Sequence, residues 1–303
     1  MPTVTFFTDS DEVDIATTKK HAVRLAKAGV AGITVQGSNG EAVHLDPEER
    51  NAITSATRSA LDENGFSHVP LTVGCGAQST RETIRLCKDA AKAGGDCALI
   101  LPPCYYRGLM TPSAVSLFFH EVADASPLPL MIYNYPGATA GVDLDSDQVI
   151  ALAQHKNIVG IKLTCGNTGK LARITSSLAS INSDPSTKFY TLGGSADFTL
   201  QTLIVDGDGV VAGVGNLIPK SCAEVIRLFE AGKISEAKKL QGIVARADWL
   251  SVKAGIPGTK AALEEFFGYQ SCNPRHPLVK VGDKELEELK KGFKEAIDVE
   301  KSL

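Results

Sequence analysis

The sequence predicts a (β/α)8 TIM barrel with a C-terminal helical extension, on three observations. Short apolar, β-branched runs alternate with longer amphipathic stretches over most of the chain. The runs recur about every 29 residues, the spacing of strands joined through helical crossovers. They are continuously apolar rather than alternating, as strands covered on both faces are.

In chain order the strands are expected at Val4–Phe7, Gly32–Gln36, Leu71–Gly74, Ala98–Leu101, Leu130–Tyr133, Val159–Leu163, Phe189–Leu192 and Gly209–Ala212. Helical patterns lie between them at Thr17–Ala28, Pro47–Asn64, Thr80–Ala93, Ser113–Ala125, Asp145–Gln154, Lys170–Ile181 and Ala196–Val205. A helix over Ser221–Ala231 completes the eighth unit, so the barrel is expected over residues 1–232 and the extension over 233–303. In the extension Ile234–Ala254, Thr259–Phe267 and Glu285–Ser302 read as helices, with turn signals at Gly255–Gly258 and Cys272–Pro277. An open doubly wound sheet is the alternative, but no G-x-G-x-x-G follows the first strand.

Composition narrows the class of function. The 303 residues carry 43% hydrophobic content and a net charge of −4, with no basic stripe for nucleic acid or a membrane surface. No apolar run is long enough to span a bilayer, and the first residues lead directly into a strand-like segment rather than a signal peptide. Seven cysteines at scattered spacing, without C-x-x-C, suit reduced thiols, so a cytoplasmic protein is expected. The six histidines are dispersed and form no H-E-x-x-H, so no metal site is expected. His21 and His120 fall within helical patterns and read as surface or packing residues. No nucleotide-binding P-loop is present either.

In a barrel the residues just after each strand line the catalytic face. The segment Gly37-Ser38-Asn39-Gly40-Glu41 offers amides and a hydroxyl able to hold a carboxylate, or else a plain turn capping the next helix. Pro102–Arg107 carries the tyrosine pair Tyr105-Tyr106, and Tyr133-Asn134-Tyr135-Pro136 closes another strand. Lys162 continues the apolar run Ile158–Ile161 and points either into the barrel mouth or into the helix layer. A lysine amine withdrawn from water sheds its proton more readily and becomes a nucleophile for a carbonyl carbon.

Together GSNGE at 37–41, Tyr105-Tyr106, YNYP at 133–136 and GIK at 160–162 resemble the dihydrodipicolinate synthase/N-acetylneuraminate lyase superfamily of class I aldolases, over nearly the whole chain. The resemblance implies that Lys162 forms an imine with pyruvate and that Tyr133 shuttles protons. It implies a relay from Ser38 to a Tyr106 supplied by a neighbouring subunit. It further implies a carboxylate bound by Ser38 and Asn39, main chain near Val211 facing the imine, no other cofactor, and a homo-oligomer built as a dimer of dimers. Thr164 is read as a candidate partner for sugar hydroxyls.

Within the superfamily, PCYYRG at 103–108 and GIPGTK…FFGY at 255–269 are similar to the 4-hydroxy-2-oxoglutarate aldolase branch. KLTCGNTGKL at 162–171 and GGSADFTLQTL at 193–203 are similar to fungal L-threo-3-deoxy-hexulosonate aldolases, the longer match. Dihydrodipicolinate synthases carry a carboxylate-binding arginine two residues after the YNxP proline; Ala138 stands there, which disfavours that activity. Small-molecule keto acid and aldehyde partners are therefore expected, the aldehyde uncharged like glyceraldehyde. A non-catalytic barrel is the rival from another class.

Overall fold

The computed structural model describes residues Met1–Leu303. Seven parallel strands form one sheet in chain order. They are β1 (Ile33–Val35), β2 (Leu71–Gly74), β3 (Cys97–Ile100), β4 (Leu130–Asn134), β5 (Ile158–Leu163), β6 (Tyr190–Gly193) and β7 (Gly209–Val210). The helices between and after them are α1 (Ile15–Lys27), α2 (Pro47–Glu63), α3 (Thr80–Lys92), α4 (Pro112–Ala125), α5 (Ser146–Leu152), α6 (Thr168–Ser177), α7 (Ala179–Asn182), α8 (Thr199–Ile204), α9 (Pro219–Glu230), α10 (Ile234–Phe267) and α11 (Asp283–Ser302). Their starts follow side-chain chemistry: Asp14, Asp46, Ser79, Thr111, Asp145 and Asn167 each accept a hydrogen bond from an otherwise unpaired amide of the first turn. No helix is long and apolar enough to cross a membrane.

The expected strand at Val4–Phe7 does not form. Just before it, Thr34 N–H donates to Met1 O at 2.7 Å and Thr3 N–H to Thr34 O at 2.9 Å, so the chain starts alongside β1. The ladder then ends, because Val4 N–H turns to Asn216 Oδ1 at 3.1 Å and Phe7 N–H to Ser271 O at 3.0 Å. Val4, Phe6 and Phe7 are buried, and that burial produced the apolar run. Strand pairing is a separate property, so the sheet has seven strands rather than eight.

Two helices are also more broken than their periodicity suggests. The Lys170–Ile181 pattern divides at Leu178 into α6 and α7, and Ala196–Phe198 is a tighter 3-10 turn ahead of α8. The turn expected at Gly255–Gly258 is real: Gly255 (φ 63°, ψ −158°) and Pro257 interrupt α10.

The chain divides into two compact units, one made of Met1–Leu71 with Ala212–Leu303 and the other of Thr72–Val211. The first holds a buried polar centre. His21 Nε2–H donates to Asn216 Oδ1 at 3.0 Å and Tyr269 O–H donates to His21 Nδ1 at 2.9 Å, a tautomer set by those partners. Asn216 Nδ2 reaches Pro2 O and Gly213 O. In the same unit Glu300 of α11 accepts from Lys220 and Ser221 N–H at the start of α9, in place of a local cap. The second unit carries β2–β7 around an interior of Leu, Ile and Val. There Gly160 lets β5 approach β6, since a Cβ would stand 2.6 Å from Tyr190 O.

Candidate active site

Within the Thr72–Val211 unit, the register of β4, β5 and β6 decides where Lys162 points. Tyr133 pairs with Lys162 and Lys162 with Leu192. In-register neighbours of a parallel sheet project to the same face, and the flanking Ile161 and Leu163 project to the other. Lys162 is 3% exposed, and its Nζ lies 4.1 Å from the centre of the Tyr133 ring. That contact combines a cation–π geometry with a phenol on the neighbouring strand. Tyr133 in turn stacks on Tyr135, with ring centres 5.8 Å apart and 24° between planes. Burial pushes the Tyr135 phenol up from its ordinary range, and the adjoining Tyr133 adds to it.

Three lysines of the chain are buried, namely Lys162, Lys170 and Lys260. Lys170 pairs with Asp143, and Lys260 with Glu41 at 2.6 Å. Lys162 is the one with no carboxylate partner. Lysine is seldom buried unless paired, so an unpaired amine over an aromatic ring calls for a chemical reason.

The chain leaving β5, two residues past Lys162, is tightly built. Thr164 N–H donates to Asn134 O at 2.9 Å and Gly194 N–H to Leu163 O at 3.0 Å, which carries the ladder one residue past each strand. The Thr164 hydroxyl is buried without a hydrogen bond in the protein, and a Cβ on Gly194 would meet it at 2.0 Å. Asn134, next to Tyr133, donates to Asp143 at 2.7 Å and accepts from Leu144 N–H at 3.0 Å. The hydrogen bonds from Lys170 and Asn134, with the Lys170 charge, outweigh partial burial and hold the Asp143 carboxyl below its usual range.

The remaining residues of this unit are less concentrated. Val211 spends its N–H on Gly193 O at 2.8 Å, which extends the ladder one residue past β7. Tyr106 is 65% exposed and its ring packs edge-on against Tyr105 with centres 5.1 Å apart. The loop beneath is held by Gln78, whose Oε1 accepts from both Cys104 and Tyr105 N–H at 2.9 Å. Ala138 is exposed at the end of a 3-10 turn, Pro136–Ala138. Arg107 points Nε and Nη2 at the Ala140 and Gly141 carbonyls.

Ser38 and Asn39 belong to the other unit, on the loop after β1. They do not cap the next helix: Asp46 does so, in a reciprocal capping box with Glu49. Gln36 (φ 56°) and Glu41 (φ 53°) bound the loop with left-handed backbone that non-glycine residues rarely adopt. Glu41 N–H donates to Ser38 O at 3.1 Å and Gly40 N–H to Gly37 O at 3.0 Å. Asn39 packs on Gly213, where a Cβ would stand 2.7 Å from its Nδ2. Sequence reasoning passed over Tyr135, although YNYP displays it. It also passed over the Glu41–Lys260 pair, whose members lie 219 residues apart.

Known proteins resemble this chain along its whole length. The Emericella nidulans protein named "Probable 4-hydroxy-2-oxoglutarate aldolase, mitochondrial" is 56% identical over 303 residues, covering 100% of this chain and 96% of its own length. A Hypocrea jecorina L-threo-3-deoxy-hexylosonate aldolase is 49% identical over 306 residues, with the same coverage of 100% and 96%. Among solved structures, a dihydrodipicolinate synthase family protein from Coccidioides immitis superposes with a TM-score of 0.88 at 33% identity, covering 100% of this chain and 96% of that one. YagE from E. coli, a family member solved with pyruvate, gives 0.89 at 28% identity and covers 97% and 96%. The dihydrodipicolinate synthetase family model matches residues 1–296, so the repeating parallel strands and helices are those of that TIM-barrel-like fold. The motifs at 37–41, 133–136 and 160–162 all fall within that match, and the chain belongs to the dihydrodipicolinate synthetase family.

Proposed function

We propose that this protein is a Schiff-base aldolase. It cleaves a 2-keto-3-deoxy sugar acid, foremost L-threo-3-deoxy-hexulosonate, to pyruvate and an aldehyde such as L-glyceraldehyde. The observation that carries the proposal is Lys162, buried without a carboxylate partner and seated over Tyr133. The names of the fungal relatives support a pyruvate aldolase of this class.

In this reading the neutral Lys162 amine attacks the C2 carbonyl, and loss of water leaves a protonated imine. Tyr133 takes the proton of the C4 hydroxyl, the C3–C4 bond breaks, and its electron pair flows into the imine to give an enamine. The aldehyde leaves. A proton returns to C3, and water hydrolyses the imine to release pyruvate and restore the amine. The imine is the electron sink, so no other cofactor is invoked. The proton that Tyr133 takes is passed on through a hydrogen-bond relay, the role given to Ser38 and to Tyr106 of a neighbouring subunit. Ser38 and Asn39 are read as binding the keto-acid carboxylate. Thr164 is read as meeting substrate hydroxyls, supported by its unpartnered buried hydroxyl, and the Val211 main chain as facing the imine.

The same proposal takes the segment at Val4–Phe7 as a degenerate first strand of a (β/α)8 barrel. The exposed Tyr105, Tyr106 and Leu109 support a homo-oligomer, a dimer of dimers, through which Tyr106 would be shared. A cytoplasmic location is supported by seven free cysteines; the rival is the mitochondrion, named for the E. nidulans relative. Fractionation of cells expressing the full-length protein separates the two.

A second substrate reading, 4-hydroxy-2-oxoglutarate, is favoured by the higher identity to the relative so named. Ala138 speaks against condensation with aspartate semialdehyde, whose carboxylate would find no arginine there. Pyruvate release measured across 2-keto-3-deoxy acids, 4-hydroxy-2-oxoglutarate and N-acetylneuraminate tests the assignment. The highest kcat/KM is expected for L-threo-3-deoxy-hexulosonate; a higher value for 4-hydroxy-2-oxoglutarate would transfer the assignment to it. No release from any of them would overturn the aldolase reading.

A further inference from the structure

A fully buried ion pair is a poor device for stability, because withdrawing both charges from water costs about as much as their attraction returns. Glu41 and Lys260 nonetheless form one, with neither side chain exposed. Lys260 Nζ donates to Glu41 Oε1 at 2.6 Å and to Asn273 O at 2.8 Å, and lies 4.6 Å from the Phe7 ring centre. The second carboxylate oxygen of Glu41 accepts from Arg275 N–H at 2.9 Å and faces His44 Nδ1 at 3.2 Å. The Arg275 guanidinium is itself anchored on Glu49 and Asp11, which fixes the backbone that meets Glu41.

All of these contacts converge on one residue, and its backbone is strained. Glu41 holds φ at 53° without being glycine, and its N–H donates to Ser38 O at 3.1 Å. From the other side Thr5 Oγ1 donates to Gly40 O at 2.7 Å. Gly40 is packed so closely that a Cβ would stand 3.0 Å from Gln36 N and 3.1 Å from Thr3 O. The loop is therefore held from two sides, by Thr5 near one end of the chain and, through Glu41, by Lys260 and Arg275 near the other.

We propose that Glu41 is a positioning residue, clamped by Lys260 and Arg275 of the C-terminal extension, that holds the Ser38–Asn39 loop in its carboxylate-binding conformation. This rests on the reading above that Ser38 and Asn39 bind the keto-acid carboxylate. Carboxylate binding serves ground state and transition state alike, so its loss raises KM far more than it lowers kcat. The helical extension is then part of the substrate site, where a purely structural extension would affect only stability.

The test uses the full-length chain with Glu41→Gln and Lys260→Met, singly and together. Each single change strands one buried charge, while the double change leaves two neutral groups and is expected to fold better than Lys260→Met alone. Borohydride capture of pyruvate is followed by intact mass against pyruvate concentration, with thermal unfolding in parallel. In the double variant the half-saturating pyruvate concentration is expected to rise about tenfold, with capture at saturation within about twofold of wild type. A lowered unfolding temperature with wild-type half-saturation would overturn the proposal. If the charge variants do not accumulate, Thr5→Val carries the same test on the same loop without moving a charge. It is expected to raise half-saturation about threefold, and no change there would also overturn the proposal. No capture in the wild-type protein would overturn the imine reading itself, and this proposal with it.

Discussion

Replacing Gly194 by alanine probes how tightly the end of β5 holds Lys162. The new Cβ would stand 2.0 Å from Thr164 Oγ1, 2.5 Å from Thr164 Cα and 2.6 Å from Thr164 N. A rotamer change can move the hydroxyl, but the other two atoms are backbone. Ordinary carbon contacts lie at about 3.5–4.0 Å, so β5 and the Gly194 segment must part by roughly 1 Å. Overpacking of that kind costs about 1–3 kcal/mol of stability. Thr164 is only two residues from Lys162, so the amine shifts with it, and a misplacement of about 1 Å slows a positioned reaction on the order of 10²-fold. Gly193→Ala is the control, because the three atoms nearest its Cβ all belong to side chains, at 2.8 Å in Phe198 and Thr202 and 3.0 Å in Val210. The assay is kcat for keto-acid cleavage, with thermal unfolding monitored for both variants. Both variants are expected to lose stability, while Gly194→Ala loses far more turnover. A stably folded Gly194→Ala protein with wild-type kcat would refute it.

Two further predictions follow from single residues. Tyr106→Phe removes only a hydroxyl from a side chain that is 65% exposed, so the unfolding temperature should hold while turnover falls on the order of 10²-fold; full turnover would remove Tyr106 from the relay. Burial, with Arg24 adding to it against the Asn216 hydrogen bond, brings the His21 imidazole down to about 3. The unfolded chain then binds the extra proton between pH ~6.5 and ~3, so stability is complete above pH ~6.5 and is lost on acidification, by about 2 kcal/mol at pH 5. Denaturant unfolding across that range should show the slope, and a His21→Asn variant should flatten it; an unchanged slope would assign the acid sensitivity elsewhere.

Much of this architecture is legible in the sequence because apolar runs and strand pairing coincide wherever both faces of a strand are covered. The runs at 71–74 and 130–133 locate β2 and β4 to within a residue. They part company at Val4–Phe7, where the residues are equally apolar but side chains such as Asn216 take the amides that a ladder needs. Lys162 is visible as a charge in an apolar run, yet only the register with Tyr133 shows which face it takes. The GSNGE segment announces a special turn. Nothing local, however, announces that Glu41 meets Lys260 and Arg275, since such contacts between distant segments leave no periodicity. The Tyr106 ring packs edge-on against Tyr105 and is mostly exposed, so its part in the chemistry is carried by the family resemblance alone.

The central claim is that Lys162 is the nucleophile. Incubating the full-length protein with pyruvate and sodium borohydride, then digesting it and sequencing the peptides by mass spectrometry, tests this most directly. One reduced pyruvyl adduct is expected, on the peptide bearing Lys162, and none when Lys162→Arg protein is treated in the same way. An adduct on Lys170 or Lys260, or capture undiminished in the Lys162→Arg protein, would contradict it.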